Sequence, residues 1–309
     1  MAIIKTLCYF TIFEYPLTLD QIRKYLHGFR ASCTQVKKVL ENTSIINSHG
    51  RYYFFADKKK DVFLRIKRKR VSVKLLQEAK KIAKQLCFIP TIKLIGVSGS
   101  LSMNNCKSND DIDLFIITRK HSLWFSRVFV VGLIWFLGKK RSRYNGFSKG
   151  KVCTNMWMGD ENLQVTKKNI YTAHELAQLK VLVNKGSTYQ KLLFNNQWIY
   201  RYLPNLESFA MPGKKKQISC VLESLLCPAD IVCFYLQRIY MKRKSAKRQE
   251  LLNRNLAMFH PNDCTKNVLR EYKREVAKRI RNTSDHASNV AVTGSITNNF
   301  SFKLITPGS

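Results

Sequence analysis

The stretch IKLIGVSGSLSMNNCKSNDDIDLFIIT, residues 92–118, decides the fold. Ile92–Ser98 is an apolar, branched run of the kind that forms a buried strand, and it breaks at Gly99-Ser100. After a spacer over residues 101–110 comes Asp111-Ile112-Asp113, which runs directly into the apolar strand Leu114–Ile117. Residues two apart in a strand point to one face, roughly 7 Å apart at Cα. Asp111 and Asp113 should therefore project together, while Ile112 enters the opposite layer. Two carboxylates side by side repel unless a cation sits between them. Magnesium suits such an all-oxygen site, because it keeps water and phosphate oxygens as its other ligands. Gly99 lets the backbone approach a phosphate closely, and the Ser100 hydroxyl can donate to it. Asp110 faces the other way and reads as structural.

Gly99, Ser100, Asp111 and Asp113, with this spacer and apolar flanks, resemble the signature of the DNA polymerase β-type nucleotidyltransferase superfamily. That signature is Gly-Ser, a spacer, then Asp-x-Asp on a strand. The stretches YFTIFEYPLT (9–18), YTAHELAQLK (171–180), NNQWIYRYLPN (195–205) and MFHPND (258–263) are similar to a bacterial group of nucleotidyltransferase-domain proteins. The resemblance implies transfer of a nucleoside monophosphate from a magnesium-bound nucleoside triphosphate, such as ATP, to an acceptor hydroxyl, with nucleic acid as one acceptor. Asp111 and Asp113 would be the catalytic pair and would hold two Mg2+ ions, while Gly99 and Ser100 would hold the β- and γ-phosphates. The family adds a third carboxylate from a later strand. Here the next strand is expected over Lys151–Met158, with Asn155 as its mid-strand polar residue and Asp160 and Glu161 just beyond. Either one of those acids bends back, or Asn155 stands in the acid's place, or a distant acid such as Glu175 or Glu207 serves. The rival reading is a nucleic-acid-binding regulator with a degenerate, inactive nucleotidyltransferase domain. A third is an enzyme that nucleotidylates a small molecule or a protein, of the antibiotic-modifying or toxin–antitoxin kind.

Around this core the expected fold class is α+β. Residues 1–60 read as three helices and a hairpin: Ile3–Phe13, then Leu19–Leu26 capped by Thr18, then Gln35–Glu41 capped by Thr34, then strands at Ile45-Ile46 and Tyr52–Phe55. That order resembles a winged helix, whose third helix, carrying Lys37 and Lys38, would face DNA. Residues 61–90 read as a basic connecting helix with an apolar stripe of Val62, Ile66, Val73, Leu76, Ala79, Ile82 and Leu86. Arg65, Lys67, Arg68, Lys69 and Arg70 form its most basic patch. The nucleotidyltransferase core is expected over 91–170 and a helical region over 171–282. That region would hold helices at Thr172–Val183, Thr188–Tyr202, Ile218–Leu226, Asp230–Met258 and Asp263–Asn282. Residues 283–309 are rich in Ser, Thr and Asn and read as a disordered tail. His174-Glu175 invites an acid–base reading, but the amphipathic helix it sits on favours packing. His260 reads as a turn residue, Trp198, Tyr200 and Tyr202 as core, and Arg127 as a speculative phosphate ligand.

Lys and Arg total 54 against 20 Asp and Glu, a net charge of +34. Such an excess draws polyanions from a distance, so nucleic acid is the expected macromolecular partner, with bulk lysine-rich composition as the bland alternative. Nine cysteines without a C-x-x-C pair argue against both a disulfide framework and a zinc knuckle. The N-terminus has no signal-peptide pattern, so a cytoplasmic location is expected. Leu123–Gly138 is the greasiest window, shorter than the roughly 20 residues of a span and interrupted by Arg127. It reads as a helix buried beside the sheet rather than a transmembrane segment, and the basic cluster after it keeps peripheral membrane contact as a minor option.

Overall fold

The computed structural model describes residues 1–141, 149–208, 220–244, 251–258 and 264–298. The chain opens with helices α1 (Ala2–Thr11), α2 (Leu19–Lys24) and α3 (Cys33–Glu41), followed by the hairpin β1 (Ile46–His49) and β2 (Tyr52–Phe55). The long helix α4 (Lys60–Leu86) leads into β3 (Ile92–Val97), the single turn α5 (Gly99–Ser102) and β4 (Ile112–Thr118). Then come α6 (Leu123–Phe136), β5 (Val152–Gly159), α7 (Ile170–Ala177), β6 (Lys180–Asn184), α8 (Thr188–Phe194) and α9 (Ile199–Tyr202). The described chain ends with α10 (Cys220–Lys244), the short strands β7 (Leu251–Asn253) and β8 (Leu256–Met258), and α11 (Cys264–Asn298). The architecture is mixed α+β.

Local chemistry explains the starts of the first helices. Thr18 accepts from the Gln21 amide, and the Gln21 side chain accepts from the Thr18 amide; Ser32 and Gln35 repeat this reciprocal cap on α3. The α3 cap is therefore Ser32 rather than Thr34, because Ser32 has the glutamine three residues on that closes the box. Each cap stabilises its helix by about 1 kcal/mol.

Strands β6-β3-β4-β5-β8-β7 form one mixed sheet. The β4–β5 pair is parallel and its other pairs are antiparallel. Alternation along β4 divides the interior. Ile112, Leu114 and Ile116 point into one layer with Leu75, Ile82, Leu86, Trp124, Ile134 and Phe234, beneath α4, α6 and α10. Phe115 and Ile117 point into the other, with Phe10, Leu94, Ala173, Leu176, Leu192 and Ile199. That second layer is continuous with the core of the N-terminal helices.

Several boundaries differ from the expectation. Residues 180–184 leave the predicted helix and pair with β3 as an edge strand, where Val181 and Val183 gain a ladder that a solvated last helical turn would not give them. Residues 251–258 of the helix predicted to Met258 are strands instead, and β7 and β8 form a hairpin that extends the sheet beyond β5. Pro228 lies inside α10 instead of dividing it. The Thr188–Tyr202 helix splits at Asn196, whose buried amide donates to the Leu163 and Leu192 carbonyls and accepts from the Val165 amide. Residues 283–298 continue α11, and residues 299–309 of the expected tail lie outside the described residues.

The face of α4 is also rotated from the expected stripe. Ile66 and Val73 are exposed, whereas Arg65, Arg68 and Ser72 are buried. The Arg65 guanidinium lies over the Tyr15 and Tyr52 rings, at 4.0 and 4.5 Å from their centroids, and donates to Gln21 Oε1 at 2.8 Å. Arg68 pairs with Glu14 and donates to the Phe13 carbonyl and to Asn105 Oδ1. Tyr15 adds a 2.7 Å bond to the Met103 carbonyl. Arg68 and Tyr15 thus clamp the N-terminal helices onto the loop that follows α5, and Arg65 ties α4 to the N-terminal helices and hairpin, so two residues of the run that reads as the most basic patch are buried.

Candidate metal and nucleotide site

Asp111 and Asp113 flank Ile112 at the N-terminal end of β4, and their side chains lie on the same side of the strand as expected. Ile112 is fully buried in the opposite layer. The parallel register then supplies a third group, since Asp113 is the direct partner of Cys153 on β5. A carboxylate oxygen of Asp111, one of Asp113 and the Cys153 sulfur all lie within 4.8 Å of one another.

Two observations bear on whether this set fits a cation. First, no described residue hydrogen-bonds the Asp113 carboxylate, which is largely withdrawn from water. Burial, and then the charge of Asp111, push its carboxyl up to about 7. Second, a guanidinium already stands at the cluster. Arg141 donates to Asp111 Oδ2 at 2.7 Å and also bonds Cys153. Burial, with Asp113 and Asp111 adding to it, pushes the Cys153 thiol up to about 12. A divalent cation would be held by the Asp111 and Asp113 oxygens, with Cys153 as the third neighbour.

Gly99 sits directly against this pair. Its φ is +63°, and a Cβ built there would lie 3.1 Å from Asp113 Oδ2, so both conformation and space call for glycine. The Ser98 amide donates to the Asp113 carbonyl at 3.0 Å, which fixes this turn to the strand. Ser100 is half-exposed beside it, but its hydroxyl donates to Asp110 Oδ2 at 2.8 Å. Asp110 also takes the Lys107 amide, so it organises the spacer loop.

The expected third acid is elsewhere. Asp160 pairs with Lys93, and its amide bonds Thr118 at the far end of β4. That is five residues from Asp113, roughly 16 Å along the strand, and Glu161 lies beyond it. Asn155 is buried at a bulge, where the register passes from Leu114↔Thr154 to Phe115↔Met156. Of the distant acids, Glu175 on α7 is close enough for its charge to raise Asp113, and burial pushes Glu175 itself up to about 7. Glu207 is exposed. Cys153 and Arg141 were the residues missed in the sequence. The only signal for Cys153 was its shared strand face with Asn155 and Trp157, and Arg141 was visible only as part of a basic cluster.

The remaining expectations divide clearly. His174 is fully buried: its Nε2 is 2.9 Å from His27 Nε2, its Nδ1 is 3.0 Å from Gln178, and the Tyr9 ring stacks on it at 4.0 Å. His27 Nδ1 in turn is 3.0 Å from the Tyr272 hydroxyl, so this pair locks α7 and α11 to the N-terminal helices. Packing is its role, as the amphipathic pattern suggested. Trp198, Tyr200 and Tyr202 pack against the core. Arg127 bonds Gln237 on α10, away from the aspartates, and is not positioned as a phosphate ligand. His260 lies outside the described residues. Lys37 and Lys38 are exposed on α3, as are Lys67, Lys69 and Arg70 on α4.

No family model matches the chain, and no curated protein matches it.

Proposed function

We propose that this protein binds a magnesium–nucleoside triphosphate at Gly99, Ser100, Asp111 and Asp113 and transfers its nucleoside monophosphate to an acceptor hydroxyl. The observation that carries this reading is the Asp113 carboxylate, desolvated, beside Asp111, accepting no hydrogen bond from a described residue, and touching the Gly99 turn. A carboxylate in that state is costly unless a cation completes it. Magnesium, when bound, would neutralise phosphate charge and polarise the reacting oxygens. Asp111 and Asp113 would orient it, and Gly99 would let the triphosphate approach the backbone. Arg141, half-exposed and next to Asp111, is placed to take phosphate charge once nucleotide competes for it. Ser100 would contact phosphate after its hydroxyl turns from Asp110. In this reading the three N-terminal helices and hairpin serve as a winged helix and the sheet as a nucleotidyltransferase core, with nucleic acid as acceptor or partner.

One observation favours a second reading. Cys153, rather than a carboxylate, is the strand partner of Asp113, and a neutral thiol is a poor proton acceptor for a hydroxyl nucleophile. A nucleic-acid-binding regulator that retains nucleotide binding without transfer fits that substitution. Incubating the protein with labelled nucleoside triphosphates, magnesium and total cellular RNA, DNA and protein separates the two. Transfer of label to any fraction, lost in Asp113→Asn, supports the enzyme. Magnesium-dependent nucleotide binding in calorimetry with no label transferred supports the regulator, and the absence of both removes the site.

A further inference from the structure

Helices α6 and α10 pack on each other through Trp124 and Phe234, with Phe125 held by Asp230 and Arg127 by Gln237. Their inward faces are ordinary core: Leu123, Trp124, Val130 and Ile134 on one, Phe234 and Met241 on the other. Their outward faces are not ordinary. Val128, Phe129, Trp135 and Phe136 recur at helical spacing along the solvent side of α6, with Trp135 and Phe136 at 69% and 81% exposed. Val232, Tyr235, Leu236, Ile239 and Tyr240 do the same along α10. Scattered exposed apolar residues are common, but two aromatic-rich stripes on helices packed against each other are of a kind that marks an interaction surface.

The surrounding charge selects the partner. Residues 123–141 and 231–244 contain eight basic residues and no Asp or Glu. Some of these are engaged within the protein, Lys139 with Glu78 and Arg141 with Asp111. Lys140, just past α6, and Arg238, between the apolar residues of α10, are exposed beside the stripes. In the sequence α10 continues directly into Lys242, Arg243 and Lys244. A second copy of this chain would bring the same cationic patch, on a body of charge +34, against its like. Nucleic acid offers phosphates, and unpaired bases can stack on aromatic rings, but it has no apolar phase for the aliphatic Val128, Val232, Leu236 and Ile239 that share the face. An anionic lipid surface supplies both, with acyl chains beneath and negative headgroups at the level of the basic rim. Among the described residues no helix is long and apolar enough to cross a membrane, so the contact is one of lying on the surface.

We propose that the α6–α10 face is a peripheral docking surface for anionic phospholipid bilayers. Trp135, Phe136 and Phe129 insert at the headgroup–acyl boundary, Tyr235 and Tyr240 sit at its edge, and the basic residues hold the headgroups. This inference is independent of the nucleotidyltransferase reading.

The test is co-sedimentation of the full chain with phosphatidylcholine vesicles, with and without about one quarter phosphatidylglycerol, alongside acrylamide quenching of tryptophan. Trp124 and Trp157 are fully buried and Trp198 is half-buried against the other core layer, so the quenching change on lipid that is lost in Trp135→Ala is the part that reports on Trp135. The protein should sediment with the anionic vesicles and not with phosphatidylcholine alone, and Trp135 should become shielded. The double variant Trp135→Ala, Phe136→Ala should bind about tenfold or more weakly with an unchanged unfolding midpoint, since both side chains are exposed. Phe129→Ser is a second variant on the same stripe should the first fold poorly. Failure to bind anionic vesicles, or equal binding by the double variant, overturns the proposal. So does a concentration-dependent dimer, seen by sedimentation velocity and abolished by the same substitutions, which would make a second copy the occupant.

Discussion

Asp113 and Cys153 are direct partners across the parallel β4–β5 pair, so a carboxylate that accepts no hydrogen bond from a described residue faces a thiol. The thiol is uncharged near neutral pH and brings no second negative charge to the pair. This relationship limits the coordination that Asp111 and Asp113 can offer to two carboxylates. Replacing Cys153 by Asp should therefore tighten magnesium-dependent nucleotide binding by roughly tenfold and raise any transferase turnover. Cys153→Ala should change neither by more than about twofold. Calorimetric titration of ATP with and without magnesium reads both, and equal behaviour of the Asp and Ala variants would remove Cys153 from the site.

The pH dependence of Asp113 has a definite sign. Its folded value, about 7, lies above the ordinary 3.8, so the native state holds the proton more tightly than the unfolded chain. Below about pH 4 the carboxyl is neutral in both states and costs nothing. As pH rises from about 4 to 7 the unfolded chain ionises while the folded carboxyl holds its proton, so stability falls across that window and levels off above 7. Without divalent cations, Asp113→Asn should be more stable than wild type by about 2–4 kcal/mol at pH 8, with the advantage shrinking toward pH 4. Excess magnesium should close the gap by stabilising wild type alone. Urea midpoints at the two pH values check this, and parallel pH profiles for the two proteins would contradict it.

The buried histidine pair acts in the opposite direction. Burial, followed by the charge of Lys5, lowers His27 from 6.5 to about 3, and burial also holds His174 well below its ordinary value. Neutral imidazoles are required in the fold, so their stabilisation is present above pH 6.5 and is lost as pH falls toward 3. Each histidine steepens the acid branch by up to about 1.4 kcal/mol per pH unit. His27→Gln should lower stability at pH 7 by about 1–3 kcal/mol yet flatten the loss between pH 6.5 and 4.

The basic run on α4 divides into two populations with different phenotypes. Arg68 has a side chain 11% exposed and bridges Glu14, the Phe13 carbonyl and Asn105. Arg68→Gln should cost about 2–3 kcal/mol of stability, because Glu14 and the Phe13 carbonyl lose their cationic partner. Neutralising Lys67, Lys69 and Arg70 should leave stability within about 0.5 kcal/mol. If this helix contacts nucleic acid, the same triple change should reduce the salt-dependence slope of binding by roughly one unit per lost phosphate contact. An unaltered slope would place the nucleic-acid surface elsewhere, with Lys37 and Lys38 on α3 as the next group to neutralise.

The sequence by itself determined the parts of this protein governed by short-range periodicity. Alternation in Asp111-Ile112-Asp113-Leu114 placed the two acids on one face, and the apolar run after them made β4 a central strand. Apolar spacing and the Thr18 cap gave three helices and a hairpin in the right order, although the first strand runs on through His49 and the turn falls at Gly50-Arg51. What only the tertiary structure decided were features that depend on pairing between distant segments. Which residue stands beside Asp113 depends on the register of β4 on β5, and hydrophobic alternation in either strand is blind to that register. Hence Asn155 and Asp160 looked eligible and Cys153 did not. Residues 180–184 and 251–258 became strands because open sheet edges were available to pair with them, which overrides weak helical propensity. Arg65 and Arg68 turned inward because Tyr15, Tyr52 and Glu14 wait for them on the N-terminal helices and hairpin, and no pattern within α4 records partners that far away in the chain.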